Sequence, residues 1–321
     1  MDKRSKIFVA GHRGMVGSAI VRKLQAEGYT NLLLRGSSEL DLRNQAAVAD
    51  LFSRERPEYV FLAAARVGGI IANSTRKGEF IYDNLLIQAN VIHNAFTSGV
   101  KRLLFLGSTC IYPKFAPQPM PEECLLSGPL EPTNDAYAVA KIAGITMCRS
   151  YNEQYGTQFL SAMPNNLYGS NDNFDLTSSH VLPALMRKFY EAKLTESPQV
   201  EIWGTGTPLR EFLHVDDLAD ASMFLMRLGE NNYASLLGDE TAPALINVGS
   251  GEEVSIRELA LMTKDLVGFS GELVFDSSKP DGTPRKLCDT VKISRLGWNH
   301  KINLKDGMKK TYEWYTASVA S

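Results

Sequence analysis

The chain has 321 residues, 44% of them apolar, enough for one large domain or two modest ones with real cores. Lys and Arg number 34 against 36 Asp and Glu, a balance that gives no footing for binding nucleic acid or a membrane surface. The four cysteines, Cys110, Cys124, Cys148 and Cys288, form no Cys-x-x-Cys pair, so neither a disulfide framework nor a metal site is expected.

The N-terminal apolar run, residues 7–10, is too short for a signal sequence, and no stretch approaches the roughly 18 apolar residues of a membrane span. A cytoplasmic location is expected. The same run reads as a first buried strand, followed by a turn with Gly11, Gly14 and Gly17 and by helical periodicity over 18–27. Such glycines let the backbone approach a pyrophosphate, and the helix N-terminus offers amide donors. Gly11, His12, Arg13, Gly14, Met15, Val16 and Gly17 are therefore the first candidate cofactor residues.

The second strand, over 31–34, selects the cofactor. An acid at its end would bind the ribose 2′-hydroxyl of NAD; here Arg35, Gly36, Ser37 and Ser38 follow, with Arg13 in the glycine turn. Guanidiniums and hydroxyls suit a phosphate, so NADP is expected, with Arg13 and Arg35 on its 2′-phosphate. Glu39 and Asp41 lie just behind.

A third strand is expected over 59–65, leading into a loop with Gly68 and Gly69. A helix over 80–96 places Ile81, Leu85, Gln88, Val91, Ile92 and Ala95 on one side, a candidate subunit contact. A fourth strand over 102–107 ends at Ser108. After a proline-rich loop comes a helix over 135–155 carrying Tyr137 and Lys141, then a strand over 158–163. Residues at i and i+4 share a helix face. An ammonium beside a phenol favours the phenolate, so Lys141 is expected to pull the Tyr137 pKa down, making Tyr137 a proton donor at an oxygen shared with Ser108. An ordinary amphipathic pair has the same spacing, but the strand-end Ser108 upstream favours chemistry. Cys110, two residues on, leaves the chain on the Ser108 side if extended geometry continues.

In the second half, Trp203 and Arg210 put an aromatic face near a guanidinium, a combination suited to a nucleotide base and pyrophosphate. Lys188 and the stretch 279–286, with Lys279, Asp281 and Arg285, extend that set. His214, Asp216 and Asp217 read as a helix cap rather than a catalytic group. Residues 246–251 read as strand and turn, and 253–268 as a helix.

The glycine turn, Ser108, and Tyr137 with Lys141 resemble the extended short-chain dehydrogenase/reductase superfamily. The segments 10–17, 107–112, 166–169, 172–174, 179–181, 210–217 and 279–286 narrow the resemblance to its epimerase-reductases that convert GDP-4-keto-6-deoxy-D-mannose to GDP-L-fucose. It covers essentially the whole chain. It implies an α/β fold, a Rossmann-type doubly wound parallel sheet with a smaller substrate-binding domain. The nucleotide-binding unit would span 1–166, with additions from about 214–245 and 270–292, and the discontinuous substrate unit mainly 167–321. It implies NADPH as hydride donor, a GDP-sugar substrate and a homodimer.

The resemblance further implies Ser108, Cys110, Tyr137, Lys141 and His180 as catalytic residues. Asp41, Leu42, Lys141, Pro164, Asn165, Asn166, Leu167 and His180 would join the cofactor site; Lys188, Trp203, Arg210, Lys279 and Asp281 would hold the substrate. Lys188 stands where the resembled enzymes usually carry Arg, Ser37 where some carry a second phosphate-binding Arg, and Asn165 and Ser170 where Thr and Pro are more usual. Two rivals are a redox-neutral sugar epimerase or dehydratase holding NAD, and a non-catalytic NADP-binding regulator. The basic end of strand two and Cys110 argue against the first, and the complete Ser108, Tyr137 and Lys141 set against the second.

Overall fold

The computed structural model describes residues 1–238, 243–279 and 281–319; Pro280, inside the matching 279–286 segment, lies outside them. In chain order, β1 (Ile7–Ala10), α1 (Met15–Ala26), β2 (Leu32–Leu33), α2 (Gln45–Glu55), β3 (Tyr59–Leu62), α3 (Ile70–Thr75) and α4 (Lys77–Thr97) come first. Then follow β4 (Arg102–Leu106), α5 (Asp135–Tyr155), β5 (Phe159–Pro164), β6 (Asn166–Tyr168), α6 (Val181–Leu194), β7 (Gln199–Trp203), β8 (Leu209–His214) and α7 (Val215–Arg227). The chain ends with α8 (Glu230–Ala234), β9 (Leu245–Val248), β10 (Glu253–Ser255), α9 (Ile256–Val267), β11 (Glu272–Asp276), β12 (Arg285–Lys286), α10 (Val291–Arg295) and α11 (Leu304–Val319).

A six-stranded sheet in the order β2-β1-β3-β4-β5-β9 forms the centre, and all its pairings are parallel. Its strands are apolar on both faces because both are covered. Alternation along the strands sends Phe8, Val60 and Phe105 into one core with α2, α4 and α5. Val9, Phe61 and Leu104 enter the other with α1 and α7. A third core joins Tyr168, α6, β7, Phe212 and α9 in a lobe above the carboxyl ends of the sheet. No helix among the described residues is long and apolar enough to cross a membrane.

Several elements depart from the sequence expectations. The third strand stops at Leu62, leaving Ala63, Ala64 and Ala65 as half-buried loop backbone. Residues 253–255 are strand β10, paired with β8; α9 starts only after Ser255, whose side chain and Glu258 form a reciprocal capping box. Within the stretch 270–292, expected with the nucleotide-binding unit, β11 lies beside β7 and β12 beside β8, with Leu273 and Phe275 on the lobe's core, while Cys288 packs into the first core of the sheet. On α4 the covered face carries Asn84 and Gln88 as well as Val91, Ile92 and Ala95. Asn84 and Arg66 exchange two 3.0 Å hydrogen bonds through the Arg66 backbone, and Gln88 donates to Ala140 O at 2.6 Å. Leu85, expected on that face, is 36% exposed and Tyr82 63%.

Candidate active site

At the carboxyl end of β1 the chain enters the glycine turn with Gly11 at φ +85°, a left-handed conformation that favours glycine. A Cβ on Gly17 would collide with Gly11 O, so that glycine serves close helix–turn packing rather than lining the recess. The first turn of α1 has no side-chain cap from Gly14, leaving its amides for a ligand. His12 Nδ1 is buried without a partner. An uncapped helix end above a glycine turn fits a dinucleotide pyrophosphate.

Three recesses of about 400, 350 and 290 Å³ run together along this edge. The first is lined by Gly11, His12, Arg13 and Gly14, by Arg35 and Ser37, and by Asp41 and Leu42. It shares Ala63 and Ala65 with the second, which is lined by Met15, Val16, Ser108, Cys110, Tyr137 and Lys141. Pro164, Asn165, Asn166 and Leu167, from the end of β5 and from β6, close its floor, and His180 and Arg210 its far side. His180, Asn166 and Arg210 continue into the third recess, beside Lys188 and Trp203.

Arg35, on the wall of the first recess, donates to its neighbour's Leu34 O at 2.9 Å and lies 3.5 Å from Glu55 Oε1. Arg13 lies against Gly36.

The catalytic stretch also departs in detail. Extended geometry does not continue past Ser108: residues Thr109–Ile111 form a single 3₁₀ turn, capped by Ser108 Oγ accepting the Cys110 N–H at 3.4 Å. Cys110 thus reaches the cleft by a turn, not by strand alternation. Burial pushes its thiol pKa up, opposed first by Lys286, then by Ser108 and Lys141.

Lys141 does not lower the Tyr137 pKa here. Burial raises it, Cys110 adds to the rise and only Ser108 opposes, so Tyr137 keeps its proton. The Lys141 ammonium is turned to Leu106 O at 2.7 Å, 5.7 Å from the Tyr137 ring centre, and desolvation brings its own pKa down to about 8. His180, at the N-terminus of α6, has its pKa lowered by desolvation first and Lys286 second, although its exposed ring lets cleft water soften that shift.

In the third recess Trp203 is 42% exposed, with the Lys188 and Lys279 ammoniums 5.3 and 5.9 Å from its ring centre. Lys188 also donates to Glu201 O at 3.0 Å. Asp281 is engaged by the chain, its carboxylate accepting from Thr205 N at 2.8 Å and Thr205 Oγ1 at 2.9 Å. Arg285, expected at the site, is held instead by a two-pronged pair with Glu253. His214 caps α7, its Nδ1 accepting from Asp216 N at 3.2 Å.

Two residues had no individual role in sequence reasoning. Lys286 figured only as the end of a stretch expected to extend the substrate set, yet its charge acts on Cys110 and His180 and is itself opposed by Arg210. Glu211, fully buried, gathers the floor: its carboxylate accepts from Asn165 Nδ2, from Cys288 N at 2.8 Å and from Gly251 N at 2.8 Å. Asn165 Oδ1 in turn accepts from Asn166 N at 3.0 Å. No periodicity marks either residue, because both act through contacts distant in sequence.

The chain matches the model of the NAD dependent epimerase/dehydratase family over residues 7–238. It is 59% identical to GDP-L-fucose synthase 1 of Arabidopsis thaliana over 320 residues, covering 100% of this chain and 96% of that one. It is 54% identical to GDP-L-fucose synthase of Escherichia coli, with 97% of both chains covered. Among solved structures, the GDP-mannoheptose C4 reductase of Campylobacter jejuni with NADP bound aligns with a TM-score of 0.90 and 48% identity, covering 98% of this chain and 99% of that one.

Proposed function

Because the chain belongs to the NAD dependent epimerase/dehydratase family, we propose that its cleft performs both halves of the chemistry its GDP-L-fucose synthase relatives are named for. The protein is an NADP-dependent epimerase-reductase that converts GDP-4-keto-6-deoxy-D-mannose to GDP-L-fucose. The observation that carries the residue assignments is the convergence of Ser108, Cys110, Tyr137, Lys141 and His180 on one recess, continuous with the uncapped α1 end.

In a 4-keto sugar, the hydrogens on C3 and C5 are both α to the carbonyl. The Ser108 and Tyr137 hydroxyls donate to the carbonyl oxygen and stabilise the enolate that forms when either hydrogen leaves. Cys110 and His180 take and return the carbon-bound protons, with Lys286 favouring the thiolate of one and the neutral imidazole of the other. NADPH, when bound, supplies the hydride for C4. Tyr137, holding its proton, delivers it to the resulting alkoxide, while Lys141 orients the cofactor ribose. Trp203 offers a face to the guanine, and Arg210 and Lys188 counter the diphosphate.

A division into a nucleotide-binding unit and a smaller substrate unit belongs to this reading, supported by the separate third core. So do a homodimer, supported by exposed Tyr82 and Leu85 on α4 and Val139 on α5, and a cytoplasmic location. Reduction without epimerisation is the second reading, favoured by the likeness to the C4 reductase.

Proton NMR in heavy water, with and without NADPH, tests the assignment. Tyr137→Phe is expected to lower NADPH oxidation by roughly 10²–10⁴ while sparing deuterium uptake at C3 and C5 more. Cys110→Ser is expected nearly to abolish that uptake. Wild-type exchange in Cys110→Ser would make the thiol mere packing, and reduction by the wild type without any deuterium uptake would establish the second reading.

A further inference from the structure

At the rim of the recess that Arg13 and Gly36 line, both of them meet an acid, Glu39. After β2 the chain turns at Gly36, whose carbonyl accepts from both Glu39 N and Leu40 N at 2.9 Å, and this folds Glu39 back over the turn. Glu39 Oε2 accepts the Gly36 N–H at 2.7 Å and lies 3.9 Å from Arg13 Nη2. The Arg13 guanidinium rests so closely on Gly36 that a Cβ there would sit 2.8 Å from its carbon. Glu39 is ionised at neutral pH, since the Gly36 amide foremost, with Arg35 and Arg13, holds its carboxyl below the ordinary value. The amide and guanidinium that a phosphate ester would take are thus already engaged by a carboxylate of the chain.

We propose that Glu39 sets the ratio of cofactor affinities: its carboxylate is a resident counter-ion that the 2′-phosphate of NADPH must displace, and it remains as an acceptor for the ribose 2′-hydroxyl of NADH. The inference rests on the NADP-dependent reading of the site. A carboxylate and a phosphate dianion repel when aimed at one amide and one guanidinium, so part of the favourable phosphate contact is offset. A ribose hydroxyl is a donor and wants the carboxylate, the part an acid at the second strand's end plays in NAD-selective sites. Glu39 brings the same group to that place through the Gly36 turn. With the Arg13 and Glu39 side chains 70% and 52% exposed, displacement needs only a change of rotamer.

Glu39→Gln tests this, because it keeps an oxygen for the Gly36 N–H and removes the charge. NADPH, NADH, 2′,5′-ADP and 5′-AMP are titrated onto wild type and variant by calorimetry, at about 0.05 and 0.5 M salt. The variant is expected to bind NADPH and 2′,5′-ADP about three- to tenfold tighter at low salt, and NADH and 5′-AMP no tighter, with the gain shrinking at high salt. An unchanged or lower NADPH-to-NADH affinity ratio overturns the assignment. So does equal weakening of all four ligands by Glu39→Gln and Glu39→Ala, which would make Glu39 a turn residue alone. A wild type that prefers NADH would instead overturn the NADP reading, and the wild-type titrations reveal that by themselves.

Discussion

Lys141 is a cation held where water cannot reach it, 3% exposed, with the Leu106 carbonyl 2.7 Å from its ammonium. Its pKa falls from 10.5 to about 8, so below pH 8 it is charged in both folded and unfolded chains and the full burial cost is present. As pH rises from about 8 towards 10.5 the folded chain sheds this proton first, and the cost is relieved. Lys141→Met lacks the cost at every pH. Urea unfolding of the two proteins is therefore expected to show the variant's relative advantage shrinking between pH 7 and 10, by at most about 3 kcal/mol. Parallel pH courses would mean that the native ammonium is solvated. The same substitution should depress C4 reduction, because it removes the group proposed to orient the cofactor.

At the scale of single elements, the capping box of α9 is the sharpest boundary. Ser255 Oγ accepts from Glu258 N at 3.1 Å and Glu258 Oε2 accepts from Ser255 N at 2.9 Å. Ser255→Ala is expected to cost about 1 kcal/mol, read as a lower urea midpoint, and Ser255→Thr to recover most of it. An unshifted midpoint in the Ala variant would show that packing alone fixes the helix start.

That boundary also shows what the sequence makes legible. The serine and the acid three residues on carry a cap signature, but a helix reading from 253 runs through it because β10 is defined by its pairing with β8. Where burial and periodicity act within one segment, reading succeeds: α5 spans Asp135–Tyr155 as expected, and β1, α1 and the glycine turn follow in order. Where a distant partner decides, it fails: Lys286 arrives from β12, and Glu211 gathers Asn165, Gly251 and Cys288 from across the chain. The 3₁₀ turn that carries Cys110 is local, but three residues are too few to show a period. Motif resemblance singled out His180 and Lys188, whose local patterns also suit a helix start and a solvated surface charge.

On the whole-molecule scale, α4 and α5 pack together and leave Tyr82, Leu85 and Val139 uncovered, with exposures of 63%, 36% and 45%. A second copy of the chain laid across these helices would bury them. Sedimentation velocity is expected to find a dimer for the wild type and a larger monomer fraction for Leu85→Glu. A variant that stays fully dimeric would move the contact elsewhere.

The placement of β9 has a consequence during synthesis. β5 is flanked by β4 and β9, and on the order of 80 residues, which carry α6, α7 and α8, separate the end of β5 from the end of β9. At about 5–20 residues per second, a ribosome takes roughly 4–16 s to bridge that gap. Through that interval the nascent chain presents β5 as an open edge, apolar but for Ser161, the kind of strand that invites pairing with a neighbouring chain. The first five strands of the central sheet therefore emerge early but wait for β9, and crowded polysomes or a slow stretch of message between the two strands would lower the yield of native protein without altering a single residue.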